Sequence, residues 1–329
     1  MNRGLLLPSW TLWALGAGFV LFVALCVLAV RKNHGMKRSF FASPYTVWMV
    51  VFTLIPCVLI GYYALTDAQG AFTLDNFANF WDSNHTVNRM YKDMGPEMSV
   101  LIQRGTVNID ILIYSTWMAL LCTVICLFMG YPAAYFMTDR QMKQGSTIVV
   151  LFIIPMWMNF LLRTVAWMTL LEDQGLINQI LRALGFSGAH LMYNNGAVLL
   201  GMVYNFLPFM VFPIYTSLNK MDRKLLEAAQ DLGANPVRTF SRVTFPLSLP
   251  GVISGITMVF MPSVTTFFIP RILGGGNTMM FGDLIENKFL TENNWGVGSA
   301  LSLVMMVLIL LSLSVLRKAD PEGEGGGLV

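Results

Sequence analysis

Apolar residues run in seven long blocks separated by shorter polar segments. The blocks lie near residues 10–30, 47–66, 111–137, 147–171, 197–217, 249–269 and 297–316. Each holds about 20 residues or more, and at ~1.5 Å rise per residue a helix of that length crosses ~30 Å of hydrocarbon. None shows the apolar–polar alternation of a membrane barrel strand, so helices are expected. Composition agrees: 55% of the 329 residues are hydrophobic and only 12% are charged, against about 25% charged in a soluble domain. Mean hydropathy is +0.61. The expected fold class is an all-α integral membrane protein, and no polar stretch is long enough to form a separate soluble domain.

Charge orients the helices. Segments 31–46, 138–146, 218–248 and 317–329 hold 13 Lys/Arg in 69 residues, whereas 1–9, 67–110, 172–196 and 270–296 hold 7 in 105. Basic loops stay inside, so the first set is expected to be cytoplasmic. The N-terminus is then outside and the C-terminus cytoplasmic. Acid density is nearly equal on the two sides, 7 in 69 inside and 11 in 105 outside, so it says nothing about substrate charge.

Catalytic chemistry is not expected. Cys26, Cys57, Cys122 and Cys126 all lie in apolar blocks, and thiols there without a nearby His are packing groups rather than metal ligands. His34, His85 and His190 are isolated in loops. No nucleotide-binding, nucleophile-elbow or zinc-hydrolase motif occurs. The metal-ligand set is therefore read as none, and no nucleic-acid partner is indicated.

The cytoplasmic segment 218–248 is the exception to an otherwise apolar chain. Asp222 is placed to cap a short helix of good helix formers, Arg223 to Leu232. Gly233 suits the left-handed position beyond a helix end, and Asn235-Pro236 is a cap followed by a first-turn proline. Two short helices joined by a glycine turn would make a knob. Ala228 and Ala229 leave one of its sides without bulk. An ordinary amphipathic loop is the plainer alternative.

The spacing within this knob is specific. Residues 227–251 read EAAQDLGANPVRTFSRVTFPLSLPG. The pattern resembles the docking loop of ATP-binding-cassette importer permeases, E-A-A, three residues, G, nine residues, I-x-L-P. Glu227, Ala228, Ala229, Gly233 and Pro246 match in register, with Val243 and Phe245 replacing Ile and Leu. The resemblance implies that Glu227, Ala228, Ala229, Asp231, Gly233, Ala234 and Pro246 form the coupling surface for a cytoplasmic ATPase. It continues through WMNFLLRTVAWMTLLEDQGLIN (157–178), MVYNFLPFMVFPIYTSL (202–218) and ILGGGNTMMFGDLIENKFL (272–290), which are similar to the polyamine branch of that family.

Membership implies a six-helix type I importer core, here with an extra N-terminal transmembrane helix. The organisation expected is 1–46 as that helix with a basic linker, 47–316 as the transmembrane domain, and 317–329 as a disordered tail. The first block is too long for a signal peptide and is followed by Arg31, Lys32, Lys37 and Arg38. Leu25 before Cys26 argues against a lipoprotein. Met36-Lys37-Arg38 also looks like an ordinary start for such a permease, so a natural chain without residues 1–35 is the alternative. The outer segment 67–110 is expected to form short surface helices, and Leu176 to Leu184 an amphipathic interfacial helix. Pro208, Pro213, Pro250, Pro262 and Pro270 are candidate kinks.

The resemblance further implies partners: a second related permease subunit, a cytoplasmic ATPase dimer that binds ATP and Mg, an extracytoplasmic substrate-binding protein, and the bacterial inner-membrane bilayer. This chain would bind no cofactor of its own. For a polyamine cargo, aromatic faces and carboxylates would serve, with each cation–π contact worth ~0.5–2 kcal/mol. Trp167, Glu172, Asp173, Tyr204, Phe267, Phe268, Asp283 and Glu286 make the candidate pathway set. Arg163 stands inside a span and would repel such a cargo. A structural role is expected, as partner of another subunit's acid, of helix carbonyls, or by snorkelling outward. Another solute (a metal ion, an oxyanion or thiamine) is the alternative cargo, and an autonomous channel or carrier the alternative mechanism.

Overall fold

Three long apolar helices form the centre, and capping residues or prolines mark their ends and bends. The computed structural model describes residues 45, 48–67, 69–81, 107–138, 152, 154–276 and 278–319. The chain divides between Tyr63 and Ala64 into two units. The expected first span and residues 320–329 of the expected tail lie outside the described residues, while 317–319 belong to the last helix. Helix α1 (Val50–Ala64) is a shorter apolar helix, opened by a π turn at Val50–Leu54. Trp48 and Phe52 stack along it with ring centroids 4.2 Å apart.

The second unit contains α2 (Asp75–Trp81), α3 (Val107–Thr138), α4 (Phe160–Leu171), α5 (Leu176–Ala183), α6 (Asn195–Lys220) and α7 (Arg223–Asp231). It continues with α8 (Pro236–Thr265), α9 (Phe268–Leu273), α10 (Phe281–Leu290) and α11 (Trp295–Ala319). Among the described residues α3, α6, α8 and α11 are long and apolar enough to cross a membrane.

Helices α3, α6 and α8 pack mutually and bury Met202, Met210, Val211, Ile214 and Val259 between them. Lipid is as apolar as leucine, so association in a membrane rests on close packing and small residues. Gly251 shows this. A Cβ there would lie 2.5 Å from Ser217 Cβ and 2.7 Å from the Pro213 carbonyl oxygen. Only glycine allows α6 and α8 to approach so closely. Ser115 joins the remaining elements, donating to the Ile111 carbonyl at 2.7 Å and accepting from the Phe281 N–H at 2.7 Å. Cys122 and Cys126 are fully buried free thiols on α3.

Several expected boundaries move. The fourth block is not one continuous helix. A helical turn at 154–157 stops at Met158, and Asn159 caps a new helix by accepting from the Leu161 N–H at 2.8 Å. An asparagine in an apolar run thus starts α4. The second half of the expected knob is also different. Pro236 does not begin a second short helix but the N-terminal end of α8, which runs 30 residues to Thr265. A hydropathy window misses this stretch because Arg238, Ser241 and Arg242 dilute it.

A π turn at Phe240–Thr244 lies in α8, and Phe245 N–H donates back to the Phe240 carbonyl. Proline follows at 246, just as Pro56 follows the π turn of α1, where Ile55 N–H reaches Val50. Proline supplies no N–H and its ring crowds the carbonyl four residues back, so a widened turn before it accommodates both. Pro208, Pro213, Pro250 and Pro262 all sit within continuous helices. The break between α8 and α9 falls instead at Thr266–Phe267, outside any proline.

Candidate functional site

The knob is built by local hydrogen bonds. Asp222 accepts from the Lys224 N–H at 3.0 Å and starts α7. At the other end Ala234 N–H donates to the Ala229 carbonyl at 3.0 Å and Gly233 N–H to that of Gln230 at 2.8 Å. This is the paired bonding of a Schellman turn, and Gly233 holds the left-handed φ of +81° that the turn needs. Asn235 then accepts from the Arg238 N–H at 2.8 Å, with Pro236 at the first helical position. Every capping group in the 14-residue reach from Asp222 to Asn235 comes from the segment itself.

The expected coupling residues sit on this frame. Glu227, Ala228, Asp231 and Gly233 are exposed, and Ala229 and Ala234 are half-buried. Leu232 and Val237 flank the turn and are 89% and 73% exposed. Pro246 lies two turns further along α8, exposed on its shaft.

Sequence reasoning missed how the shaft is held. Tyr131 on α3 stacks edge-on against Phe240 and tilted against Phe245, each at 5.8 Å, and Tyr135 meets Phe240 at 5.8 Å. The Tyr131 hydroxyl shares a 2.9 Å hydrogen bond with Ser248 Oγ. Aromatic pairs of this kind contribute about 0.5–1.5 kcal/mol beyond burial. The N-terminal end of α8 is therefore fastened to α3 next to the knob.

The candidate pathway residues separate into four pairs. Trp167 on α4 and Tyr204 on α6 form a T-shaped pair with centroids 5.2 Å apart. Phe268 packs against Phe160 at 6.2 Å, while the neighbouring Phe267 is exposed. Glu172 is exposed at the end of α4, and Asp173 pairs with His190 Nδ1 at 3.0 Å, both largely exposed.

The fourth pair has a partner that the sequence did not show. Arg271 Nη1 holds both Glu286 carboxylate oxygens, at 2.6 and 2.7 Å. The two residues are fifteen apart, across a glycine loop. Asp283, one turn before Glu286, has its carboxyl pushed up to about 6 by burial, with Glu286 raising it further and Arg271 opposing. A group in that position changes charge in mildly acidic solution.

Segments 172–196 and 270–296 are stapled by residues absent from the expected set. Buried Asn178 donates to the carbonyls of Glu172 and Ala189 at 3.1 and 3.0 Å and accepts from the Ala189 N–H at 2.9 Å. Thr278 donates to Asn195 at 2.9 Å, and Tyr193 N–H to the Leu273 carbonyl at 2.9 Å. Lys288, buried on α10, is neutralised by Glu292 at 2.8 Å. Lone Asn and Lys residues carry no motif, so their amphipathic context was the only available signal.

Four apolar helices of spanning length among the described residues, with a self-capped polar knob between two of them, fit a membrane permease. Residues 20–322 match the family described as the binding-protein-dependent transport system inner membrane component, and the chain belongs to that family. It is 32% identical over 297 residues to the spermidine/putrescine transport system permease protein PotB of Salmonella typhimurium (strain SL1344), covering 88% of this chain and 96% of that one. The PotB of Escherichia coli (strain K12) is 33% identical over 281 residues, 83% of this chain and 94% of its own. Among solved structures, a chain of a bacterial alginate ABC transporter in complex with alginate pentasaccharide-bound periplasmic protein superposes with a TM-score of 0.64 at 13% identity, covering 85% of this chain and 92% of that chain. That likeness concerns the fold, which is of the type I permease class.

Proposed function

We propose that this chain is one of two permease subunits of an ATP-driven importer of polyamines, spermidine or putrescine, and forms half of the translocation pathway. The observation that carries the reading is the 32% identity to the Salmonella PotB over 96% of that protein's length. Its partners are a PotA-like ATPase dimer, a PotC-like permease and a PotD-like extracytoplasmic binding protein. ATP and Mg are bound by the ATPase, and this chain carries out no covalent chemistry.

The coupling surface is Glu227, Ala228, Ala229, Asp231, Gly233, Ala234 and Pro246, within the cytoplasmic loop 218–248. Support comes from the exposed apolar pair Leu232 and Val237 at the turn, and from the continuity of the knob with α8. Displacing the knob would move the inner end of α8 and, through Tyr131 and Ser248, that of α3. Alternating access by rigid motion of packed helices follows from such a linkage. The excess of Lys and Arg on the knob's side supports a cytoplasmic C-terminus and an outer N-terminus.

Trp167 and Tyr204 are the best-supported pathway residues, because their rings meet across two helices. Glu172, Asp173 and Asp283 mark its outer mouth, with Phe267 and Phe268 beside it. Glu286 acts there as the partner of Arg271. Uptake of labelled spermidine into vesicles holding the four-component complex tests the reading. ATP-dependent uptake is expected. Uptake without nucleotide would favour a carrier, and none in either condition would favour another solute.

A further inference from the structure

The N-terminal end of α8 holds one residue more than a regular helix would, and Tyr131 of α3 packs against that irregularity. Phe240 and Phe245 bound the π turn and are five residues apart. In a regular α-helix residues five apart point about 140° away from each other. Here the Phe245 N–H donates to the Phe240 carbonyl, so Phe245 stands over Phe240 as a residue four along would. The two rings lie 6.3 Å apart, and the Tyr131 ring meets each at 5.8 Å. The π turn thus makes one face out of two residues that a regular helix would separate. Widened turns of this kind recur at functional sites.

The Tyr131 hydroxyl adds a contact with a direction. Ser248 Oγ donates its one proton to the Phe245 carbonyl at 2.9 Å. In the 2.9 Å bond between the two hydroxyls Tyr131 is therefore the donor. Both residues are buried, where the low local dielectric strengthens a hydrogen bond. One side chain of α3 thus grips α8 at three points, Phe240, Phe245 and Ser248, starting five residues beyond Asn235, the cap that ends the knob.

We propose that Tyr131 is the positioning residue that makes α3 follow the knob: the π turn shapes α8 to its ring, and its hydroxyl sets the register of the two helices. The inference rests on the coupling reading above and names the residue through which the motion crosses from one helix to the other. Lipid gives apolar helices no net drive to associate, so close contacts of this kind must carry the task.

The test uses the assembled importer in lipid vesicles, with spin labels at Lys224→Cys on the knob and Trp117→Cys on α3, both exposed positions. Cys26 and Cys57 are replaced by serine, while Cys122 and Cys126 are buried and stay unlabelled. Trp117 precedes Tyr131 by fourteen residues, ~21 Å along the helix, which suits pulsed electron resonance. In the otherwise wild-type complex the distance between the labels should be the same with and without ATP. In Tyr131→Leu it should differ between the two conditions, because the knob moves and α3 lags. ATP hydrolysis should stay within ~twofold of wild type while spermidine moved per ATP falls about tenfold. Tyr131→Phe keeps the ring and should bring that ratio back to within ~threefold of wild type.

A role in packing alone would lower assembly and hydrolysis together and leave the ratio unchanged, which overturns the proposal. So does a wild-type distance that shifts with ATP, or a Tyr131→Leu distance that does not. If the Leu variant is not recovered folded, Tyr131→Phe decides, and a ratio equal to wild type overturns the role of the hydroxyl. If the wild-type complex hydrolyses ATP but moves no spermidine, the solute reading fails and the distances still decide the role of Tyr131. If this chain recovers no ATPase, the coupling reading and the proposal fall together.

Discussion

The knob and the rim at the other end of α6, residues 172–196 with 270–296, are both polar regions between membrane helices, but they are built in opposite ways. From Asp222 to Arg238 each capping bond joins residues within five positions. In the rim Thr278 reaches Asn195, Arg271 reaches Glu286, and Asn178 ties Glu172 to Ala189. A locally closed element keeps its own shape when pushed, so it can pass on a displacement. A rim closed by distant contacts depends on the arrangement of the helices beneath it. The first suits a mechanical input, and the second suits a surface that rearranges as helices move.

The largest effect is expected where the knob's shaft meets the bundle. Gly251→Leu forces α8 away from Pro213 and Ser217, and overpacking of this kind costs about 1–3 kcal/mol or more. Loss of folded protein in detergent, read by size-exclusion chromatography, is the expected outcome. Unchanged recovery would mean that the close approach is dispensable.

Gly233→Leu comes next. A Cβ there meets nothing within 4 Å, so the penalty is conformational, roughly 1–2 kcal/mol for the left-handed backbone. Membrane insertion should be unaffected while ATP-driven uptake falls. Gly233→Asn should be milder, because asparagine tolerates that conformation. Equal loss in both variants would show that something other than the turn is being disturbed.

Asn178→Ala sharpens the contrast from the other side. It removes three bonds to the backbone and strands the carbonyl and N–H of Ala189, while the Glu172 carbonyl keeps the Gly175 N–H, at about 1–3 kcal/mol. Hydrogen exchange should quicken across 172–196 and stay unchanged across 222–238. Faster exchange in both regions would erase the distinction between local and distant closure.

The smallest effect is a pH dependence. Asp283 keeps its proton in the folded chain up to about 6, whereas an ordinary aspartate loses it near 3.8. Stability from this group is therefore fully present below about 3.8 and declines as pH rises through about 6. Asp283→Asn should flatten the melting temperature over that interval. A slope that survives the substitution would assign the titration to another group.

The same contrast explains what the sequence disclosed. Asp222, Gly233, Asn235 and Pro236 were legible because each acts on a neighbour, and Leu176–Ala183 was legible from its apolar spacing. The 30-residue length of α8 was hidden, since its first two turns are polar and hydropathy sees only the apolar remainder. The break at Asn159 was hidden by the apolar run around it. Arg271 with Glu286, and Tyr131 with Ser248, were beyond reach: no local rule connects residues 15 and 117 apart.

Whether the knob receives the motion is best read at Val237, exposed beside the turn. In the assembled importer, Val237→Cys joined to cysteines introduced across the ATPase surface should give a disulfide adduct that blocks ATP-driven uptake, and reduction should restore it. Adducts confined to other subunits, or full uptake with the adduct in place, would contradict the account.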